Sequence, residues 1–348
     1  MAEKLKNLFV KEDIYSLISK HRTSIMGAAS LWIIIFHTWK HVFSDIRIIR
    51  FIENFVVRIG FSGVDIFFFL SGIGLVYSIR NKSLGEFYYR RLKRIIFPFV
   101  FVGVLHIIFN GWTVGKFVKA VSCYSFFFEN IYTFLWFIPA IITLYMVFPF
   151  YNRLLQKSKN PVVFTCIVLE IWLIFSLVRQ RTMHENTYGF TNRIPIFLLG
   201  VLLATISNET KLYFNLESVC WIMVTFILAM YMAYITNYMD VYMIVPTSNA
   251  FLPNILITVS LCPILAYIFE KSKLLRKFFG FFGMFTLEFY CVQEWLNVKI
   301  MDRLQPLLPT LVANIAFIAV TTVVAYILYK INVLIWKKVD SAVLKKRS

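Results

Sequence analysis

His37 and His41, four residues apart in the run SLWIIIFHTWKHVF, are the first candidates for chemistry in this chain. If the run is one helix, four positions make about one turn, so both imidazoles share a face. An imidazole can take up and return a proton near neutral pH. The plain alternative for His37 is a neutral ring hydrogen-bonded to a neighbouring helix. His41, beside Trp39 and Lys40, fits an interfacial anchor or a substrate contact better. Asp65, in GFSGVDIFFFLSGIGLVYSIR, is expected at about the depth of His37. A carboxylate there would orient an imidazole and steady its protonated form. Its rival role is a charge at the start of its own helix, favoured by the dipole alone. Arg91 and Arg94 in FYYRRLKRIIFP are three apart on one helical face, a spacing that can grip phosphate. A topological marker accounts for such a cluster equally well. Other ionisable groups in apolar runs, each a functional candidate, are His106, Glu170, Glu288 and Glu294. The two histidines lack a third ligand of similar quality, so no metal is expected.

The elements that must position these residues are apolar. Of 348 residues, 59% are hydrophobic, 37 are phenylalanine and only 16% are charged, and the mean hydropathy is +0.71. A soluble domain of this size could not hide that much apolar surface. Runs such as NPVVFTCIVLEIWLIFSLV and LVANIAFIAVTTVVAYILY have the length of membrane-crossing helices. Alternation at strand spacing is absent, which excludes a barrel. The GIG of residues 72–74 follows no strand and is no nucleotide loop.

The fold expected is therefore all-α and polytopic. Ten spans are read at roughly 24–43, 59–79, 95–111, 134–151, 161–178, 194–207, 217–236, 254–270, 281–298 and 309–336. Segment 112–133 is ambiguous between an interfacial helix and a half-span. The net charge of +18 gathers at the ends of apolar runs, as in RNKSLGEFYYRRLKR and EKSKLLRKFFG. That placement argues for cytoplasmic loops rather than nucleic acid, and puts both termini in the cytoplasm. The five cysteines, scattered and without C-x-x-C, read as small membrane-embedded hydrophobes. The N-terminus is too polar for a cleavable signal peptide. Residues 1–348 read as one membrane domain, with a cytoplasmic segment 1–23 and a basic cytoplasmic tail 337–348. Gly63, Ser71, Gly72 and Gly74 would let other helices come close.

Assembled in order, these pieces resemble acyltransferase family 3, the membrane acyltransferases that modify extracytoplasmic glycans. The matching stretches are MGAASLWIIIFH, GVDIFFFLSG, FYYRRLKRIIFP, LWFIPAIITLYMVFP, RIPIFLLG and TLEFYCVQ. The resemblance implies ten core helices, an acyl donor (usually acetyl-CoA) from the cytoplasm, and an acceptor hydroxyl on the far side. His37 matches the family's essential histidine, and Arg91 and Arg94 match its R-x-x-R. Where the family commonly has Arg or Lys eleven positions before that histidine, this chain has Met26, and Arg22, one turn below, is the substitute. Trp136, Arg193 and Glu288, inside matching stretches, join His41 as substrate-contact candidates. Some relatives carry a secreted SGNH-type domain; none is expected here, so transfer is expected to finish within the membrane domain.

The function expected is thus an O-acetyltransferase acting on a surface polysaccharide or its lipid-linked precursor, in a bacterial plasma membrane. His37 is the base or acyl relay, and Asp65 its partner. No tightly bound cofactor is expected, and the partners are the bilayer, an acyl-CoA and a hydroxyl acceptor. A saccharide transporter or flippase would also need buried charges, but should show symmetric halves with broken helices, and no such symmetry is visible. A non-enzymatic sensor would not need R-x-x-R and a buried histidine together.

Overall fold

The computed structural model describes residues 12–43, 46–80, 82–129, 135–179, 187–207, 209–239 and 251–345. The expected cytoplasmic segment before residue 12, residues 130–133 of the ambiguous segment, residue 134 of the fourth expected span, and residues 346–348 of the basic tail lie outside the described residues. The described chain is helical: α1 (Ile14–Lys20), α2 (Arg22–Thr38), α3 (Arg47–Arg58), α4 (Ser62–Ile79), α5 (Leu84–Asn110), α6 (Val114–Val121), α7 (Tyr124–Phe128) and α8 (Phe137–Lys157). There follow α9 (Pro161–Arg179), α10 (Tyr188–Thr191), α11 (Ile194–Ile206), α12 (Leu216–Tyr238), α13 (Phe251–Lys271), α14 (Lys273–Gly283), α15 (Thr286–Leu304) and α16 (Thr310–Lys345). Among the described residues no strand forms; Asp13 and Tyr213 make one isolated antiparallel bridge.

Among the described residues eight helices are long and apolar enough to cross a membrane, and the protein is a multi-pass membrane protein. They correspond to eight of the ten expected spans. The other two expected spans fall on α2, which has 17 residues, and on α14 and α15, which the chain breaks at Met284 and Phe285. The ambiguous segment forms the short helices α6 and α7.

α4 is the centre of the bundle. The apolar stretch within Arg47–Ile79 is 89% buried in the protein, whereas those of α9 and α12 are 17% buried. A helix apolar all round belongs inside, and α4 reads that way along its whole length. Peripheral α9 instead turns Ile167, Ile171 and Ile174 outward at helical spacing, a face suited to lipid tails. Two glycine contacts fix the centre. A methyl at Gly72 would collide with the Phe197 carbonyl, and one at Gly200 with the Phe69 carbonyl, so the backbones of α4 and α11 touch.

α2 ends earlier than the sequence suggests. Its last backbone bond runs from Trp39 N to the Ile35 carbonyl. Beyond it the donors turn to side chains: Val42 N and Phe43 N donate to the Glu53 carboxylate at 2.9 and 3.1 Å, and Lys40 N donates to Asn314 Oδ1 at 3.1 Å. His41 is therefore off the helix, half-exposed, with Nδ1 3.9 Å from Glu53. It shares no helical face with His37.

Candidate active site

A cavity of about 400 Å³ runs inside the bundle along α2 and α4. From α2 it is lined by Arg22, Met26, Ser30, Ile33 and His37, steps of three and four residues that form one helical stripe. From the next span it is lined by residues from Phe61 to Ser78, which at helical rise is roughly 25 Å of length. Its volume is that of a small-molecule site.

One end is basic. Arg22, Lys82, Arg90, Arg91 and Arg94 all line it. Arg22 Nε donates to the Leu70 carbonyl at 3.1 Å, and Arg91 Nη2 to the Gly74 carbonyl at 3.3 Å. Gly74 is what lets the Arg22 guanidinium in: a Cβ there would sit 3.1 Å from its central carbon. Arg90 is paired with Glu86 at 2.6 Å. Among the described residues no carboxylate lies within ion-pair distance of Arg22, Lys82, Arg91 or Arg94. Lys93, between the two arginines, is turned away and held by Asp340 at 2.9 Å. Crowded cations, four of the five without a carboxylate at ion-pair distance among the described residues, make this end a site for an anion.

The other end holds His37, one quarter exposed. Its Nδ1 lies 2.8 Å from Gln293 Nε2 and 3.1 Å from Glu294 Oε1. The two neighbours ask for different tautomers. A proton donated by Gln293 needs a bare Nδ1, which leaves the proton on Nε2. A bond to Glu294 puts the proton on Nδ1 and leaves Nε2 free to act as a base. Trp136 and Arg193 line the same end, with the Arg193 guanidinium 5.3 Å over the Trp136 ring.

The expected pair of His37 with Asp65 does not form. α2 and α4 do pack together, but through Gly63, where a Cβ would come 2.8 Å from the Ala29 carbonyl. Asp65 is two residues further, roughly 200° round the helix, and so faces the opposite side. There it is buried, 3.3 Å from Arg193 Nε, and accepts a hydrogen bond from Asn254 Nδ2 at 3.1 Å. Asn254 Oδ1 in turn accepts from Ser62 at 3.0 Å. The Arg193 N–H is not aimed well enough to bond, so the contact is an ion pair. Glu288 also points elsewhere: it accepts from Asn332 of α16 at 2.8 Å and does not line the cavity. Of the candidates, then, His37, Arg22, Arg91, Arg94, Trp136 and Arg193 share one cavity; Asp65 stands behind Arg193, and His41 and Glu288 lie outside.

Gln293 and Glu294 complete the histidine's environment, and Arg90 and Lys82 the lining; of the four only Glu294 was among the ionisable candidates. The sequence signal for the first two was the adjacent polar pair in TLEFYCVQEW, a break in an otherwise apolar face. Among the described residues no three His, Cys, Asp or Glu side chains gather as metal ligands would, and all five cysteines are free thiols.

The family model for an acyltransferase domain matches residues 27–330, from the second turn of α2 into α16. The chain belongs to acyltransferase family 3. Neither the curated proteins nor the solved structures gave a match. As a membrane acyltransferase, the protein has its histidine, R-x-x-R and aromatic end within the matched residues, while Arg22 lies just ahead of them.

Proposed function

We propose that this acyltransferase moves an acetyl group from acetyl-CoA at the basic end to a hydroxyl of a glycan or lipid-linked saccharide at the histidine end. The observation that carries the reading is the single cavity with Arg91 and Arg94 at one end and His37 at the other. Coenzyme A is polyanionic at its nucleotide end, and its pantetheine arm is long and nearly neutral. The cavity has the same polarity: cations at the mouth, then a mostly apolar passage. Within that passage Ser30 Oγ is buried with no hydrogen-bond partner among the described residues, a hydroxyl suited to the arm's amides. The basic end would face the cytoplasm, where CoA is held, and the setting would be a bacterial plasma membrane. The acyltransferase family favours this reading over saccharide transport.

In the base route, His37 Nε2 takes the proton of the acceptor hydroxyl as its oxygen attacks the thioester carbonyl. The carbon–sulfur bond breaks, and the departing thiolate recovers the proton from the imidazolium. In the relay route Nε2 attacks the thioester carbon first and the carbon–sulfur bond breaks, releasing the thiolate; the hydroxyl oxygen then attacks the acyl-imidazole, the carbon–nitrogen bond breaks, and the hydroxyl proton passes to the thiolate. Both routes need a bare Nε2, so both need the Glu294-bonded tautomer. Trp136, with Arg193 above it, offers an aromatic face against which a sugar ring can lie.

The test is mass spectrometry of cell-surface glycans from cells with the gene, without it, and with His37→Ala. An acyl-sized mass present only with the intact gene is expected. Identical glycan masses in all three would contradict the proposal.

A further inference from the structure

A second cavity, of about 640 Å³, opens beside the basic mouth between the end of α4, the end of α8 and the start of α9. Lys82 lines both cavities, so the two adjoin at that side chain. Arg153 and Lys159 line its far wall, both exposed, and among the described residues neither has a carboxylate within ion-pair distance. Arg80 closes the near side, its guanidinium 5.0 Å over the Tyr77 ring. The one carboxylate in the described lining, Glu209, is exposed. Asn152 adds a different kind of signal: its Oδ1 is buried with no donor among the described residues. A buried acceptor without a donor is costly unless a ligand supplies one. Positive charge at the C-terminal end of α8 also suits the helix dipole and membrane topology, but neither effect calls for a cavity or leaves an amide oxygen unbonded.

We propose that this second cavity seats the 3′-phosphoadenosine end of the acyl-CoA donor, with Arg153 and Lys159 on the 3′-phosphate and Asn152 on a hydroxyl or amino donor of the nucleoside. The assignment rests on the acyl-CoA reading above. Lys82, at the junction, then meets the diphosphate, and the arm passes Arg91 and Arg94 toward His37. The division of labour is specific. The mouth arginines serve the part of the donor common to CoA and dephospho-CoA. The second cavity serves the phosphate monoester that only CoA carries. A phosphate monoester could also come from a lipid such as phosphatidate.

The experiment is calorimetric binding of CoA and of dephospho-CoA to the detergent-purified full chain, to Arg153→Ala/Lys159→Ala, and to Arg91→Ala/Arg94→Ala. The wild type should prefer CoA by roughly tenfold or more, the scale of one charge-assisted contact. Arg153→Ala/Lys159→Ala should lose that preference while binding dephospho-CoA as before, and Arg153→Lys/Lys159→Arg should keep it. Arg91→Ala/Arg94→Ala should weaken both ligands alike. An unchanged preference in Arg153→Ala/Lys159→Ala would overturn the assignment and leave the donor reading standing. Competition by phosphatidate micelles that disappears in that variant, with the CoA preference intact, would overturn it in favour of a lipid. Wild-type protein that binds neither nucleotide would overturn both.

Discussion

Two histidines bracket the same helix, and each faces a glutamate. His21, at the N-terminal cap of α2, has Nε2 2.7 Å from Glu270. His37, near the other end, has Nδ1 3.1 Å from Glu294. As pairs they look alike. Their surroundings separate them: His21 is 2% exposed, and its glutamate is also held by Lys20 at 3.0 Å. His37 is 25% exposed, lines the cavity, and has Gln293 competing for the same ring nitrogen. A histidine–carboxylate pair is therefore not what makes a reaction centre here. The first pair ties α1 and α2 to α13; the second has substrate-sized space in front of it and a choice of tautomer behind it.

That contrast breaks most sharply at the histidines themselves. His37→Ala should cut acyl transfer by about 10² or more, the usual worth of a general base, with thermal stability nearly unchanged. His21→Ala should do the reverse: leave turnover per folded molecule intact while removing about 1–3 kcal/mol of stability, because Glu270 loses its buried partner. Turnover and melting temperature measured on both variants decide it. Equal losses of activity would erase the distinction between the two pairs.

The carboxylates sharpen the same contrast with smaller effects. Glu294→Gln keeps a group that can accept from Nδ1 but removes the charge that steadies an imidazolium, so kcat should fall by roughly tenfold with donor affinity unchanged. Asp65→Asn should act through Arg193 instead, removing about 1–3 kcal/mol of stability. In double-mutant cycles Asp65→Asn should couple to Arg193→Ala and add independently to His37→Ala. Coupling of Asp65 to His37 would mean that the two act as one unit after all.

How far these roles were readable depended on the range of the interaction that sets them. The helical membrane architecture and the small residue at Gly72 that admits a neighbouring helix were legible from local composition and spacing, which is what a sequence displays. The end of α2 at Thr38 is not local. It depends on Glu53 of α3, whose carboxylate gathers the backbone donors of Val42 and Phe43, in competition with the helix's own carbonyls. The facing of Asp65 is a matter of rotation and level: Gly63 packs against Ala29 and Ile33 rather than His37, and the two residues after it carry Asp65 to the other side of α4. Glu294 was visible as an ionisable group, yet its partner lies more than two hundred and fifty residues away. No period in the sequence joins them.

The smallest effect expected is at His41. It is half-exposed, off the helix and 3.9 Å from Glu53, so His41→Ala should change transfer less than a few-fold and stability by about half a kcal/mol or less, as for ordinary surface positions. A loss approaching that of His37→Ala would restore His41 to the reaction centre.

The central claim is that the cavity between the basic end and His37 is the route of the acyl group. Ser30 lies on the α2 stripe between Arg22 and His37, so Ser30→Phe should obstruct the passage while leaving the cations and the imidazole in place. The direct measurement is CoA affinity and acetyl transfer on the same purified preparation of Ser30→Phe. The account predicts that CoA still binds, weaker only by the arm's contacts beyond Ser30, which also reports a folded basic end, together with transfer as low as that of His37→Ala. Undiminished transfer through the obstructed passage would contradict it.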